Sequence, residues 1–434
     1  MPSIILHRGA HTIGGSCIEI EFDGHRIIFD IGMPLMEKGG DAINEKKLAS
    51  PTIENGILPD VKGLYKDQQP AIDALFVSHA HIDHYGLLNF IHPSIPVFMS
   101  RGSQALIDIG TIFYPEQNKI HSDNISLFKH WRPVQVGPFK VTSYLMDHSG
   151  YDASAFLVET QGKRIFYSGD FRGHGRKAKV LDHLADHPIA DVNCLLMEGT
   201  TLGGGHKGGF ENEQDVEDAL SNLFSGQSDV SFVMAAGSNI DRLVSLYKAA
   251  ARSKKTLVVD LYNYYVLHKL KEITPALPPH PKDHLRIFYI GKHAQDIVDH
   301  LGKKVLYQFA PRKIGIDEIV ANRKNMVLKL PVSAMDRIAG QLKKQTPLAD
   351  ACFIYSMWAG YLEKDDYYTG FCDKYQLRLK KVHVSGHAYR NALKKLASAL
   401  KPDLLIPVHT LSADKFDTFF DNVVQLDDGS TFEL

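Results

Sequence analysis

The chain has 434 residues, a formal net charge of −1, 44% apolar and 23% charged residues, and 22 histidines against four cysteines. At roughly 100–200 residues per domain this length gives two or three domains with full cores, and the composition excludes wholesale disorder. The neutral balance argues against gripping nucleic acid through bulk charge and leaves a local basic groove open.

In chain order, residues 15–32 (GSCIEIEFDGHRIIFDIG) place two alternating apolar segments around Asp23-Gly24, which predicts a hairpin. IDALFV (72–77) predicts a short buried strand that runs into a polar loop, and YGLLNFI (85–91) a helix. A second hairpin is expected over 154–170, turning at Gln161-Gly162. The stretch TLGGGHKGG (201–209) is glycine-rich and reads as mobile. Beyond it, helix-like and strand-like segments alternate, from EQDVEDALSNLF and VSFVMAA to RIFYI, which predicts βαβ units and a mainly parallel sheet. From about 375 the pattern returns as LKKVHVSG (strand), YRNALKKLASAL (helix), DLLIPVHT (strand), a helix and a last short strand. Cys17, Cys194, Cys352 and Cys372 form no CxxC pair, so a cysteine zinc cluster or a disulfide scaffold is not expected, and a cytoplasmic location is. No apolar run approaches the roughly 20 residues that span a bilayer, and MPSIILHRGAH lacks the pattern of a secretory signal.

The densest chemistry is Ser78-His79-Ala80-His81-Ile82-Asp83-His84, with four ligand-type residues directly after a buried strand. Imidazole and carboxylate suit zinc and similar divalent ions, and residues two apart in an extended loop can turn toward one ion. His148, Asp170 and His409 each follow a strand-like segment. Singly each reads as an ordinary core or loop residue. With HAHIDH they supply five histidines and two aspartates, enough for two ions once water is added.

HAHIDH, His148, Asp170 and His409 resemble the signature of the metallo-β-lactamase fold, an αββα sandwich with a dinuclear site along one edge of its sheets. Glu198 in LLMEGTT, His387 in HVSGHA and His409 in IPVHT narrow the resemblance to the β-CASP nucleases, most similar to bacterial and archaeal ribonuclease J. The fold implied is α/β, with a metallo-β-lactamase domain from 1–199 and 375–434 and an inserted α/β β-CASP domain from 200–374. The resemblance implies that His79, His81 and His148 hold one zinc, that Asp83, His84 and His409 hold the other, and that Asp170 bridges them, with manganese an alternative ion. It also implies a metal-dependent hydrolase of RNA, cutting internally or from the 5′ end through a shared hydroxide.

In that chemistry His387 would serve the leaving group and Glu198 would orient its ring. Ser238 and Asn239, at the helix start GSNIDRL, and Ser385 beside His387 are the candidate phosphate contacts. Arg172, Arg176 and Lys177 could line a basic mouth, and Trp358 and Tyr361 could stack on a base or belong to the core. Only 25 residues follow His409. The C-terminal domain usual in ribonuclease J is therefore not expected, and oligomerisation would have to proceed without it. RNA is favoured over DNA and no membrane is expected. Hydrolysis of small phosphodiesters, esters or lactones, and a DNA-specific nuclease, stay open as alternatives.

Overall fold

A computed structural model describes residues 1–36, 43–115, 124–204, 209–280, 283–364 and 366–434. The chain divides into two units. One comprises Met1–Ile107, Glu116–Lys207 and Gly386–Leu434, and the other Asp108–Pro115 and Gly208–Ser385.

The first unit holds two sheets. Both predicted hairpins form: Cys17–Phe22 pairs with His25–Phe29, and Ser154–Thr160 with Lys163–Tyr167. Their turns require positive φ, which Asp23, Gly24, Gln161 and Gly162 adopt. One seven-stranded sheet runs, in spatial order, Ser430–Glu433, Ser3–Arg8, Cys17–Phe22, His25–Phe29, Ala74–Phe76, Val97–Met99 and Ile125–Leu127. The other runs Leu404–Val408, Cys194–Glu198, Lys163–Tyr167, Ser154–Thr160, Phe139–Leu145 and Pro133–Val136.

The apolar faces of the two sheets meet. Ile4, Ile20, Phe29 and Phe76 from one pack with Phe156, Ile165, Tyr167, Leu196 and Ile406 from the other. Burying a side chain of this size contributes about 1.5–3 kcal/mol, so this layer is a main source of the unit's stability. On its far face the second sheet carries Leu157, Phe166, Leu195 and Leu405, against helices Lys179–Asp186 and Arg390–Leu400. Leu393, Leu396 and Leu400 recur at helical spacing and form the buried stripe of the latter.

YGLLNFI departs from expectation. A one-turn helix occupies Ile82–Tyr85, inside the histidine motif, and only a 3-10 turn, Leu88–Phe90, follows. The cause lies in packing. Leu87 N–H donates to Ile31 O at 3.1 Å, a bond to the neighbouring chain segment instead of a continued helical ladder. Within TLGGGHKGG, residues 205–208 lie outside the described residues.

The second unit is a seven-stranded sheet in the order Lys313–Ile314, Leu285–Phe288, Thr256–Asp260, Met326–Lys329, Ser231–Met234, Cys352–Tyr355, Arg378–Lys381. Every adjacent pair is parallel, as the alternation of segments predicts. Arg242 is fully buried on helix Ile240–Arg252 and donates to both carboxylate oxygens of Glu213, at 2.8 and 3.1 Å, and to Ser356 O at 3.1 Å. Removing one partner of such a pair strands a buried charge. Arg242→Ala is expected to lower unfolding free energy by about 3–5 kcal/mol, read as a fall in the urea midpoint. A midpoint equal to the parent's would refute this role.

Candidate metal centre

The strand directions explain why residues distant in sequence meet. His25–Phe29 and Ala74–Phe76 are parallel, so Asp30 and the loop carrying His79 leave the same edge. In the second sheet Phe139–Leu145, Lys163–Tyr167, Cys194–Glu198 and Leu404–Val408 share one direction, and His148, Asp170, Glu198 and His409 stand at or just past their C-terminal ends. Ser154 N–H donates to Ser78 O at 2.9 Å and joins the two edges.

His81 caps the short helix, which carries Asp83 and His84 inward. That helix is seated closely. A Cβ on Gly32 would fall 1.7 Å from Asp83 O, so only glycine fits there. Gly15 and Ser16 N–H both donate to the same carbonyl, at 3.1 and 3.2 Å.

The side chains converge as two neighbouring groups. His79 Nε2 lies 3.0 Å and His148 Nε2 3.2 Å from His81 Nδ1. Asp83 Oδ2 lies 3.8 Å from His84 Nε2 and 3.3 Å from His409 Nε2. Asp170 stands between the groups, with Oδ2 at 3.1 Å from His84 Nε2 and 3.9 Å from His79 Nε2, and Oδ1 at 3.6 Å from His409 Nδ1. His387 Nδ1 approaches Asp170 Oδ2 at 3.6 Å and Glu198 Oε1 at 3.5 Å, and its side chain is 23% exposed. Glu198 is fully buried and accepts backbone N–H bonds from Phe171, Ala388 and Thr200.

This donor set suits a divalent cation. Tetrahedral zinc with bonds of 2.0–2.1 Å places its ligand nitrogens roughly 3.3 Å apart, close to the spacing of the three histidines. Asp170 Oδ1 and His148 Nδ1 are buried without a hydrogen-bond partner. Five triads of the candidate residues bring ligand atoms within 4.8 Å of one another, among them His79/His81/His148 and Asp83/His84/His409.

The electrostatics agree. Burial, reinforced by neighbouring imidazoles, holds His79 well below the ordinary histidine range, and burial does the same to His148. Burial pushes His81 down to about 4. These rings stand neutral, with lone pairs available. Burial opposes ionisation of Asp83 and Asp170, but the histidines facing them outweigh it and hold both low. His84 goes the other way: burial lowers it, and Asp170, Asp30 and Asp83 together raise it well above 6.5. A proton on His84 is thus the positive charge that these carboxylates demand, and an arriving cation would displace it.

Sequence reasoning missed a supporting layer. Asp30 is buried at φ 61° and accepts from Ser78 N–H (2.7 Å), Ser78 Oγ (2.8 Å) and Tyr167 OH (2.8 Å), and it pairs with His84 Nδ1 (2.8 Å). A carboxylate behind a ligating imidazole fixes its tautomer and orientation. Thr200 Oγ1 does similar work at 2.9 Å from His409 Nδ1. Asp147 holds the following loop by accepting Gly175 N–H at 2.6 Å. Only the place of Asp30 at the end of an apolar strand could have signalled it.

Ser238, Asn239 and Ser385 belong to the second unit. Asn239 caps helix Ile240–Arg252, its Oδ1 accepting from Arg242 N–H at 3.0 Å, while Ser238 and Ser385 are half-buried. Arg172 corrects the expectation of a basic mouth. It is fully buried beside Asp147, with Nε at 3.6 Å from Oδ1, because the loop after Asp170 turns it inward. Trp358 and Tyr361 are 56% and 50% exposed and do not belong to the core.

Residues 52–210 match the β-lactamase superfamily domain, and residues 374–416 match the Zn-dependent metallo-hydrolase RNA specificity domain. The chain thus contains a β-lactamase superfamily domain over residues 52–210. The two matched stretches contain every candidate ligand together with Glu198 and His387. Among similar proteins, ribonuclease J of Sinorhizobium meliloti is 25% identical over 81% of this chain and 60% of its own length. An RNase J-like protein of Methanocaldococcus jannaschii is 28% identical over 46% of this chain and 43% of its own length, and ribonuclease J of Corynebacterium glutamicum is 22% identical over 92% and 52%. The chain thus spans 43–60% of the length of these relatives. A protein of unknown function from Enterococcus faecalis V583 shares the fold over all of both chains, with a TM-score of 0.77 at 20% identity. No helix among the described residues is long and apolar enough to cross a membrane.

Proposed function

We propose that this chain is a metal-dependent ribonuclease that hydrolyses phosphodiester bonds at a centre of two divalent ions, zinc or manganese, in the cytoplasm. One observation carries the reading: two ligand groups flank Asp170, and the partly exposed His387 is held beside them by Glu198. The match of residues 374–416 to an RNA specificity domain supports RNA as the substrate. The second unit would be the inserted β-CASP domain of this enzyme.

His79, His81 and His148 would hold one ion, Asp83, His84 and His409 the other, and Asp170 both. Such a pair of ions, when bound, supplies a water of lowered pKa and positive charge against the phosphodiester oxygens. The chain's own residues do the rest. Burial opposes a charge on His387, but Glu198 and Asp170 overcome it and raise its pKa to about 9 in the metal-free protein, which favours the imidazolium. That imidazolium can donate a proton to the departing oxygen. Glu198 cannot swing away, because three backbone N–H groups hold it. Ser385, Ser238 and Asn239 would contact the phosphate backbone.

The deciding experiment incubates metal-loaded protein with 5′-phosphorylated and 5′-hydroxyl RNA and DNA and maps the products. Cleavage of RNA is expected. Intact RNA beside hydrolysed small esters or phosphodiesters would overturn the proposal.

A further inference from the structure

We propose that Trp358 and Tyr361 form a platform on which a base of single-stranded nucleic acid stacks, a subsite of the second unit that extends the nuclease reading above and rests on it. Strand Cys352–Tyr355 is buried throughout and lies between Ser231–Met234 and Arg378–Lys381, with Tyr355 opposite both Met234 and Lys381. All three strands are parallel, so the segments that follow them leave the same edge of the sheet. Ser356 N–H donates to Met234 O at 2.8 Å and Val382 N–H to Tyr355 O at 3.0 Å, which keeps those segments side by side beyond the strands. The segment with Trp358 therefore emerges between the one leading to Ser238 and Asn239 and the one leading to Ser385. These are the candidate phosphate contacts.

The aromatic pair is held in place. Trp358 O accepts from Tyr361 N–H at 3.2 Å and from Tyr355 OH at 3.2 Å. The two rings meet edge to face, 5.2 Å apart at 90°. A Cβ on Gly360 would fall 2.3–2.5 Å from the indole, so the ring lies against bare backbone at that residue. Despite these contacts Trp358 is 56% and Tyr361 50% exposed.

Charge selects the occupant. Lys380 and Lys381 are exposed at the C-terminal end of the adjoining strand, and the N-terminus of helix Ile240–Arg252 lies at the end of the segment on the other side. Exposed aromatics interleaved with cations and backbone donors fit a polyanion whose bases have free π-faces, and such stacking is tolerant of sequence.

Tryptophan fluorescence tests this directly, since the chain has only two tryptophans. Trp131 is exposed in the first unit, outside the metal centre, so Trp131→Phe leaves Trp358 as the sole reporter. The metal-loaded variant is titrated with a nuclease-resistant 2′-O-methyl phosphorothioate oligonucleotide, while the anisotropy of a dye on the oligonucleotide reports binding. Saturable quenching of Trp358 is expected, and a matched abasic oligonucleotide should leave the emission unchanged. Trp358→Ala is expected to weaken binding about tenfold and to raise KM for RNA. Binding by anisotropy with silent Trp358 emission, or equal quenching by the abasic strand, overturns the platform while leaving a nuclease in place. Failure to bind the oligonucleotide together with failure to cut RNA overturns both readings.

Discussion

Protein carrying His81→Ala is expected to keep its fold, to bind fewer divalent ions than the parent, and to cut RNA at least about 10³-fold more slowly. His81 Nδ1 is the atom on which the first candidate group converges, lying 3.0 Å from His79 and 3.2 Å from His148. The residue itself is only partly buried, at the cap of a one-turn helix, so truncation costs little packing. Losing several kcal/mol of charge stabilisation at the reacting phosphate corresponds to the expected rate loss. Metal analysis by plasma mass spectrometry, circular dichroism and a labelled-RNA assay together check it. A variant that cuts as fast as the parent would remove His81 from the centre.

The second large effect belongs to His387. His387→Ala is expected to slow cleavage about 10²- to 10⁴-fold with metal content unchanged, the range for losing a positioned proton donor. The pH dependence follows from its surroundings. Burial lowers the pKa, but Glu198 and then Asp170 raise it to about 9 in metal-free protein. The folded value exceeds the unfolded value near 6.5. The imidazolium's contribution to stability is therefore complete below about pH 6.5 and is lost as pH rises through about 9. Bound cations repel the imidazolium, so in loaded enzyme the alkaline fall in activity should lie below that of the metal-free titration. Glu198→Gln removes the strongest raising influence, and the His387 imidazole signal in metal-free protein should then titrate at lower pH. An NMR titration that is the same in parent and variant would show that Glu198 does not hold the charge.

Much of this was legible in the residues, for identifiable reasons. Asp23-Gly24 and Gln161-Gly162 reveal hairpins because their turns demand positive φ, a local requirement written in residue type. The alternation after residue 209 reveals a parallel sheet because its central strands are buried and joined by amphipathic helices. HAHIDH stands out because four ligand-type residues fall within six positions.

What escaped depends on long-range contact. Asp30 is one aspartate after a strand, and nothing local says that Ser78, His84 and Tyr167 all close on it. Arg172 resembles a surface charge until Asp147, 25 positions earlier, is seen beside it. Asp108–Pro115 belongs to the second unit although it continues helix Arg101–Phe113 of the first. Its Phe113 packs edge-on against Tyr262 and His293, at 5.4 and 5.3 Å, contacts that no local pattern announces.

Asp30 has one more consequence. It leaves the edge of one sheet, yet one of its partners is the hydroxyl of Tyr167, which stands on a strand of the other. The same carboxylate sets the ring of His84. It thus ties the alignment of the two layers to the orientation of one candidate ligand. A chain with misaligned layers would offer no finished receptor for a cation. Ions that bind only the closed form would draw the population toward it by mass action.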